Sequence, residues 1–443
     1  MRRSVFAVVT LILHSSFFTL HSWAQQAKEW SLSDCVEYAL AHNINIKQQE
    51  NNVKQQEVLL STSKNSRLPD LNGGISENFS FGRALTSDNT YMNRNTQSTG
   101  FSLSTGVPVF TAGRIPADIK VHRLNLQAAL QDFEYARESV MLGVATSFLE
   151  AVCQKDMVEV AERQVELSQV QVRRMELLYE NDKVSEADLS QIRSTLANDE
   201  LSLTQQRNRY MLALLDLSQL LELESPDDFD VARPLIDSAI MAELPSPDLI
   251  YNEALGVKPQ IQAEQIRLQS AQKSVLVAKS AFYPTLYFNA GLGSSYYKTS
   301  GFEAMSFGRQ LRDNFNQYFG ASISVPIFNR FATRNGVRSA RLQVNAQQMR
   351  LEQAKKSLYK EIQQAYYNAV AAIRQCESSD VALSSASTSF DLMQRKYENG
   401  KATLADYQDA KTKYMLAESQ QIQSRYTWLF RRKILDFYRG VTF

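Results

Sequence analysis

Beyond residue 24 the chain has no run of eighteen apolar residues, so no stretch reads as a membrane-crossing helix. Outer-membrane strands escape that test, because their alternating signal is weak. Cysteine is scarce: Cys35, Cys153 and Cys376 are the whole set. An odd number argues against a disulfide framework, and all three read as small packing residues. Neither charge sign is in excess, with 48 basic and 47 acidic residues. That removes the electrostatic footprint of a nucleic-acid binder. Histidine is nearly absent. His14 and His21 fall in the N-terminal leader, and His42 and His122 stand alone, so no cluster has metal spacing. Gly291-x-Gly293 lacks the third glycine and the following helix of a dinucleotide loop. No nucleophile–base signature is visible. The expectation is a non-enzyme without cofactor or metal.

Proline and glycine are missing where their absence matters most. From Pro116 to Leu178 there is no further proline and one glycine, Gly143. From Val337 to Asn399 there is neither. Helices of that length would run about 95 Å at 1.5 Å per residue, against about 11–12 residues for an average globular helix. In the first, a 4-3-4-3 ladder runs Leu126, Leu130, Phe133, Arg137, Val140, Val144, Ser147, Ala151, Gln154, Val158, Ala161, Val165, Ser168, Val172, Met175. Most rungs are apolar or small, which fits a coiled-coil seam with close helix approach.

What is present occurs twice. Val-Pro-Val-Phe from Val107 returns as Val-Pro-Ile-Phe from Val325, a shift of 218. Tyr179 and Tyr397, and Asp188 and Asp406, keep that shift. Ala39-Leu40, Ile46 and Pro69 match Ala254-Leu255, Ile261 and Pro284 at 215, so three residues are inserted in a loop of the second copy. A constant offset over such a span is the mark of a duplicated unit. The chain then divides into repeat 1 (25–223) and repeat 2 (248–443), joined by an acidic, proline-bearing linker at 224–247. Each repeat begins with helix, from Trp30 to about Lys64 in the first. A hairpin follows at about 69–110 and 284–328, then a long helix at 116–178 and 337–399. Return helices close the units at 185–223 and 403–438. Ahead of these, Met1-Arg-Arg, a short apolar run and Ser22-Trp23-Ala24 read as a signal peptide at 1–24.

In the hairpins Phe101, Leu103, Val107 and Val109 alternate with serines and Pro108, and 319–327 repeats the pattern. Weaker strands precede them at 71–81 and 286–296, and polar loops lie at 83–98 and 299–316. Each strong strand is expected to end at its proline. Aromatic residues crowd the strand ends, as at a membrane interface; a soluble sandwich with an aromatic core fits the same pattern. In a membrane, four strands per chain leave two unpaired edges, which lipid does not tolerate. The smallest outer-membrane barrels need eight strands, so two chains would give eight and three would give twelve.

These features together resemble the TolC family of outer membrane efflux proteins. The resemblance rests on Leu-x-x-Cys35-Val-x-x-Ala-Leu-x-x-Asn43, the two Pro-Val/Ile-Phe strand exits, the duplication, and the turn Arg395-x-Tyr397-x-x-Gly400-x-x-Thr403-x-x-Asp406. It implies an α+β membrane protein, a homotrimer whose twelve-stranded outer membrane β-barrel (four strands per chain) continues as a long α-helical periplasmic tunnel. It implies a passive exit duct of a tripartite efflux or type I secretion system. Its partners would be a periplasmic adaptor (membrane-fusion) protein, an inner-membrane transporter of the RND, ABC or MFS kind, and outer membrane lipid. A structural coiled-coil envelope protein without conductance is the alternative reading, and the cargo is not legible.

By the family pattern Asp406 and Asp409 match acidic positions at the tunnel's closed entrance, and Tyr397 matches a tip tyrosine that latches neighbouring helices. Three apart on a helix, the two acids share a face, and three chains would form charged rings. Other roles stay open: Thr403-x-x-Asp406 is also a capping box, Asp409 also an ordinary solvated carboxylate, and Tyr397 also a packing aromatic. Ser185-x-x-Asp188 reads as a capping box, its Asp409 counterpart being Gln191. Gly400, Thr403, Asp182, Ser185 and Asp188 are the expected adaptor contacts at the tips. Asp182 stands where the family has glycine and tolerates a left-handed turn less readily, which weakens the case for contact at that tip.

Overall fold

The computed structural model describes residues 28–85, 89–225, 229–234 and 244–441. The expected signal peptide lies outside the described residues, as does part of the expected linker.

Trp30 ends a strand, β1 (Lys28–Trp30), rather than opening a helix. The helix expected to about Lys64 is two: α1 (Leu32–His42) and α2 (Ile44–Asn65). Asn43 between them is extended (φ −60°, ψ 131°), and its side-chain oxygen accepts from the Asn45 N–H to start α2. The first hairpin follows as β2 (Asn72–Ser80) and β5 (Thr96–Phe110). The expected polar loop between them carries a small hairpin, β3 (Arg83–Leu85) and β4 (Tyr91–Asn93). Then come α3 (Arg114–Tyr179) and α4 (Glu186–Leu221). Pro116 sits in the first turn of α3 rather than opening it. β6 (Phe229–Val231) pairs in parallel with β1. The order continues as α5 (Pro247–Val257), α6 (Pro259–Ser280), β7 (Thr285–Thr299), α7 (Phe307–Asp313), β8 (Asn316–Ser324), α8 (Ala332–Glu398) and α9 (Leu404–Tyr438). The second loop expected to be polar therefore holds a helix. The strands do not both end at proline: β5 runs past Pro108 through a bulge, and β8 stops before Pro326. α8 begins five residues before the expected start and absorbs Gly336 in its first turns.

At 66 and 67 residues, α3 and α8 are each about 100 Å long. No single partner covers them. α3 packs on α2 and α6 near the sheet and on α4 further out; α8 packs on α6 and then α9. The joints are tied by hydrogen bonds: Asn43 Nδ2 donates to the Leu220 carbonyl (3.0 Å), and the Ile44 N–H donates to Glu222 Oε1 (3.1 Å). A core of Cys35, Ala39, Val144, Phe148, Leu217 and Val231 surrounds the first joint. A second core gathers Ile250, Ile261, Leu358 and Leu435. From Val140 to Met175 the ladder's apolar rungs are mostly buried, and nearer the sheet Ala128 and Ala129 replace the exposed Leu130. Cys35, Cys153 and Cys376 are buried and unbridged. Burial pushes the thiols of Cys35 and Cys153 up to about 12.

One antiparallel sheet collects both hairpins in the order β2-β5-β7-β8. Paired residues share a face, and the two faces differ, although Glu77 sits between Ile75 and Phe79 on the more apolar one and accepts from Gln97 and Thr99 there. One carries Ile75, Phe79, Phe101, Leu103, Phe288, Leu292, Phe319 and Ile323, many well exposed: Phe319 is 83 % accessible and Ile75 76 %. The other carries Ser76, Asn78, Ser102, Ser104, Asn289, Gly291 and Ser322. There Tyr318 lies across its partner Gly291, where a Cβ would come within 2.7 Å of the ring.

Phe148 is 1 % accessible inside the first core. Phe148→Ala should remove about 3–5 kcal/mol of stability, read as a lower midpoint for thermal loss of helical circular dichroism in detergent. An unchanged midpoint would place Phe148 outside the packed core.

Candidate functional site at the helical tips

α3 turns into α4, and α8 into α9, at the end of the molecule furthest from the sheet. Both turns are built by local hydrogen bonds. Thr403 Oγ1 accepts from the Asp406 N–H (3.2 Å), while Asp406 Oδ2 accepts from the Thr403 N–H (3.1 Å) and hydroxyl (2.7 Å). Ser185 and Asp188 make the same box at 3.1, 3.2 and 2.7 Å. Hydrogen bonds from the Thr403 and Ser185 hydroxyls hold the Asp406 and Asp188 carboxyls below their ordinary 3.8. Gly400 adopts φ 69° at the end of α8. Asp182 adopts φ 55°, so the first tip makes the left-handed turn without glycine.

Asp409 lies one turn into α9, 64 % exposed, with Lys413 Nζ 2.6 Å from its carboxylate. The two acids therefore differ: Asp406 is turned back into its cap, and Asp409 is paired in solvent. Tyr397 is half-buried and bridges the two helix pairs. Its ring stacks on Tyr407 at 5.0 Å, the Arg174 guanidinium lies 5.4 Å from its centroid, and its hydroxyl donates to Met175 Sδ (3.5 Å). Burial raises the pKa of that hydroxyl, with Arg174 opposing and Asp188 adding to the rise. Arg174 also donates to the Glu398 carbonyl (3.1 Å). Leu404 packs against the cluster of Val172, Met175, Leu189 and Ile192 at the first tip, while Phe390, Tyr407 and Ala410 form a cluster of their own at the second.

The most buried ion pair across the seam lies deeper. Lys411 of α9, 5 % accessible, reaches Asp199 Oδ2 of α4 (2.9 Å) and Ser168 Oγ of α3 (2.5 Å). Ser168 and Gln164 complete the shell of Asp199. The signal was available in the sequence. Asp199 occupies the stripe Leu189, Ile192, Leu196, Asp199, Leu203 of α4, and Lys411 the buried stripe Tyr407, Lys411, Met415 of α9. Two opposite charges on two apolar stripes imply that each is the other's partner. Between this pair and the tips, the buried Tyr407 hydroxyl and the Gln171 side chain face each other across the seam.

A family model described as outer membrane efflux protein matches residues 35–222 and 250–440. The chain belongs to that family. It is 23 % identical to the pyoverdine export outer membrane protein OpmQ of Pseudomonas putida, over 67 % of this chain and 61 % of that protein. It is 23 % identical to outer membrane protein TolC of Escherichia coli (strain K12), over 69 % of this chain and 62 % of that one. The aligned stretch thus spans about three fifths of these relatives. Solved structures agree over more of the fold. The Campylobacter jejuni CmeC outer membrane channel superposes with a TM-score of 0.77 at 19 % identity, covering 92 % of this chain and 85 % of that one. The outer membrane protein VceC of Vibrio cholerae gives 0.75 at 18 %, covering 92 % and 96 %. This efflux-family chain is an outer membrane protein, mostly helical with a small sheet, and extends into the periplasm.

Lys411→Ala would leave the Asp199 carboxylate buried and unpaired, with an expected loss of about 3–5 kcal/mol in unfolding stability. Lys411→Met combined with Asp199→Leu should recover most of it. A single variant as stable as the parent would show that the pair is not desolvated. The capping carboxyls titrate below their unfolded values, so their stabilisation is full above about pH 4 and is lost as pH falls through the lowered values. Amide exchange at Asp188 and Asp406, corrected for intrinsic rate, should stay flat down to about pH 4 and rise below it. A rise beginning near pH 6 would contradict the cap assignment.

Proposed function

We propose that three copies of this chain close a twelve-stranded barrel in the outer membrane, continued by their helices as a periplasmic tunnel. One observation carries the reading. The four-stranded sheet has an exposed apolar face, a small polar face, and two unpaired edges of equal length, β2 and β8, nine residues each. Alternation of that kind is the wall of an outer-membrane barrel, apolar toward lipid and polar toward the lumen. Edges in lipid must be paired, and β2 of one copy offers β8 of the next a partner of matching length. The sheet connects directly to helices about 100 Å long, enough to carry a lumen far into the periplasm. The internal duplication, with repeats 25–223 and 248–443 about a linker at 224–247, is supported by the same order of helices, hairpin, long helix and return helix in each half.

The chain is then a passive exit duct, not an enzyme. Energy and cargo selection come from an inner-membrane transporter of the RND, ABC or MFS kind, coupled through a periplasmic adaptor. The adaptor contacts are the turns at Asp182, Ser185 and Asp188 and at Gly400 and Thr403, whose capped backbones present rigid knobs. Asp406 and Asp409 line the tunnel entrance, with Lys413 tempering the charge of Asp409. Tyr397 holds the entrance by bridging α8 to α3. Efflux is supported by the similarity to TolC and to the pyoverdine exporter OpmQ.

Purified in detergent, the chain should run as a heat-modifiable trimer and give discrete single-channel conductance in planar bilayers. Asp406→Ala with Asp409→Ala should shift conductance or cation-over-anion selectivity. A water-soluble monomer, or a trimer without conductance, would favour a structural coiled-coil role. Unchanged selectivity in a conducting variant would remove the gating role alone.

A further inference from the structure

At the end of the sheet furthest from the helices, β7 outruns β8. Their pairing begins at Gly293 and Asn316, which leaves residues 294–299 of β7 with no strand on that side. The exposed edge is finished by side chains. Gln310, 6 % accessible, accepts from the Tyr297 N–H through Oε1 (2.9 Å) and donates from Nε2 to the Tyr297 carbonyl (3.0 Å) and the Met305 carbonyl (3.0 Å). Asn314 Nδ2 donates to the Ser295 carbonyl (2.6 Å), and Ser294 donates to the Leu311 carbonyl (2.6 Å). One glutamine amide thus stands in for a strand residue, as an edge in lipid requires.

This tether fixes which side of the wall α7 occupies. Phe307 packs on Tyr296 (5.3 Å) and Phe101 (6.1 Å), both on the apolar face. The helix therefore lies outside the wall and not in the lumen. Around it Phe302, Met305 and Phe307 are 48–56 % exposed. Arg309, Arg312 and Lys298 are exposed beside them, with Glu303 exposed nearby and Asp313 3.7 Å from Arg309. An apolar surface continuous with the lipid face and edged by cations matches the boundary between acyl chains and anionic headgroups.

We infer that α7 is a lipid-boundary anchor. It seats the far rim of the wall in the headgroup layer of the outer leaflet, and Gln310 is the positioning residue that holds it there. This rests on the proposed barrel, and the test separates the two. Phe307→Trp and Phe319→Trp are made in the full chain and reconstituted into vesicles of phosphatidylcholine and phosphatidylglycerol with bromine at shallow or deep acyl positions. Trp30 and Trp428, packed in the helical core, give the background, with Trp23 adding to it where the leader is retained. Trp at 319 should be quenched by deep bromine, and Trp at 307 should lose about half its emission to shallow bromine. Adding Gln310→Leu should abolish most of the second effect and leave the first. If Trp at 319 is not quenched, the barrel reading fails. If it is quenched but Trp at 307 is open to aqueous iodide, α7 faces water and the inference falls. Emission at 307 that is blue-shifted but unquenched would mean that a neighbouring copy covers α7, which also overturns it.

Discussion

A backbone N–H or C=O that meets lipid without a partner costs several kcal/mol, and a sheet of four strands presents two rows of them. In the proposed barrel, several features of this chain answer that deficit. β2 and β8 are equally long and fully exposed, as edges awaiting a partner would be. Where β7 runs on without β8, Gln310 and Asn314 supply the missing bonds from side chains. At the other end each strand joins a helix through a short connection of three to seven residues. In the barrel proposed above, the axis would lie outside any one chain, with the helices running along it.

Long helices raise a second problem, since no single partner can cover 66 residues. Shorter helices laid end to end along α3 and α8 solve it, with the main cores at the joints. The seam between the α3–α4 and α8–α9 pairs is held differently from the pairs themselves. Its deep contacts include the Lys411–Asp199 pair with Ser168, while the tip adds stacked tyrosines, a thioether and the Arg174 hydrogen bond to the Glu398 carbonyl. Ion pairs in an interior demand one geometry, whereas aromatic and sulfur contacts tolerate several.

Features written in neighbouring residues could be read from the sequence. The capping boxes at Ser185 and Thr403 involve residues three apart, and both form as expected. The left-handed turn at Gly400 and the two faces of β5 are equally local. The misses have a common cause. Asn43 reads as one more polar residue in a helix until Leu220 arrives beside it. β1 and β6 are three residues each and exist only as a pair. α7 is too short for a periodic signal, and its key residue is a glutamine bonded to a strand thirteen positions away. Asp199 and Lys411 lie 212 residues apart, so their match shows only when α4 and α9 meet.

The order of letters alone determined the long helices, the alternation of the strands and the caps that start the return helices, because each is a periodicity or a contact within a few residues. Folding in three dimensions decided how both hairpins join into one sheet, which face is bare, where α7 rests and what locks the seam. Those depend on backbone edges and buried charges finding partners far along the chain, and no local pattern encodes which partner will be there.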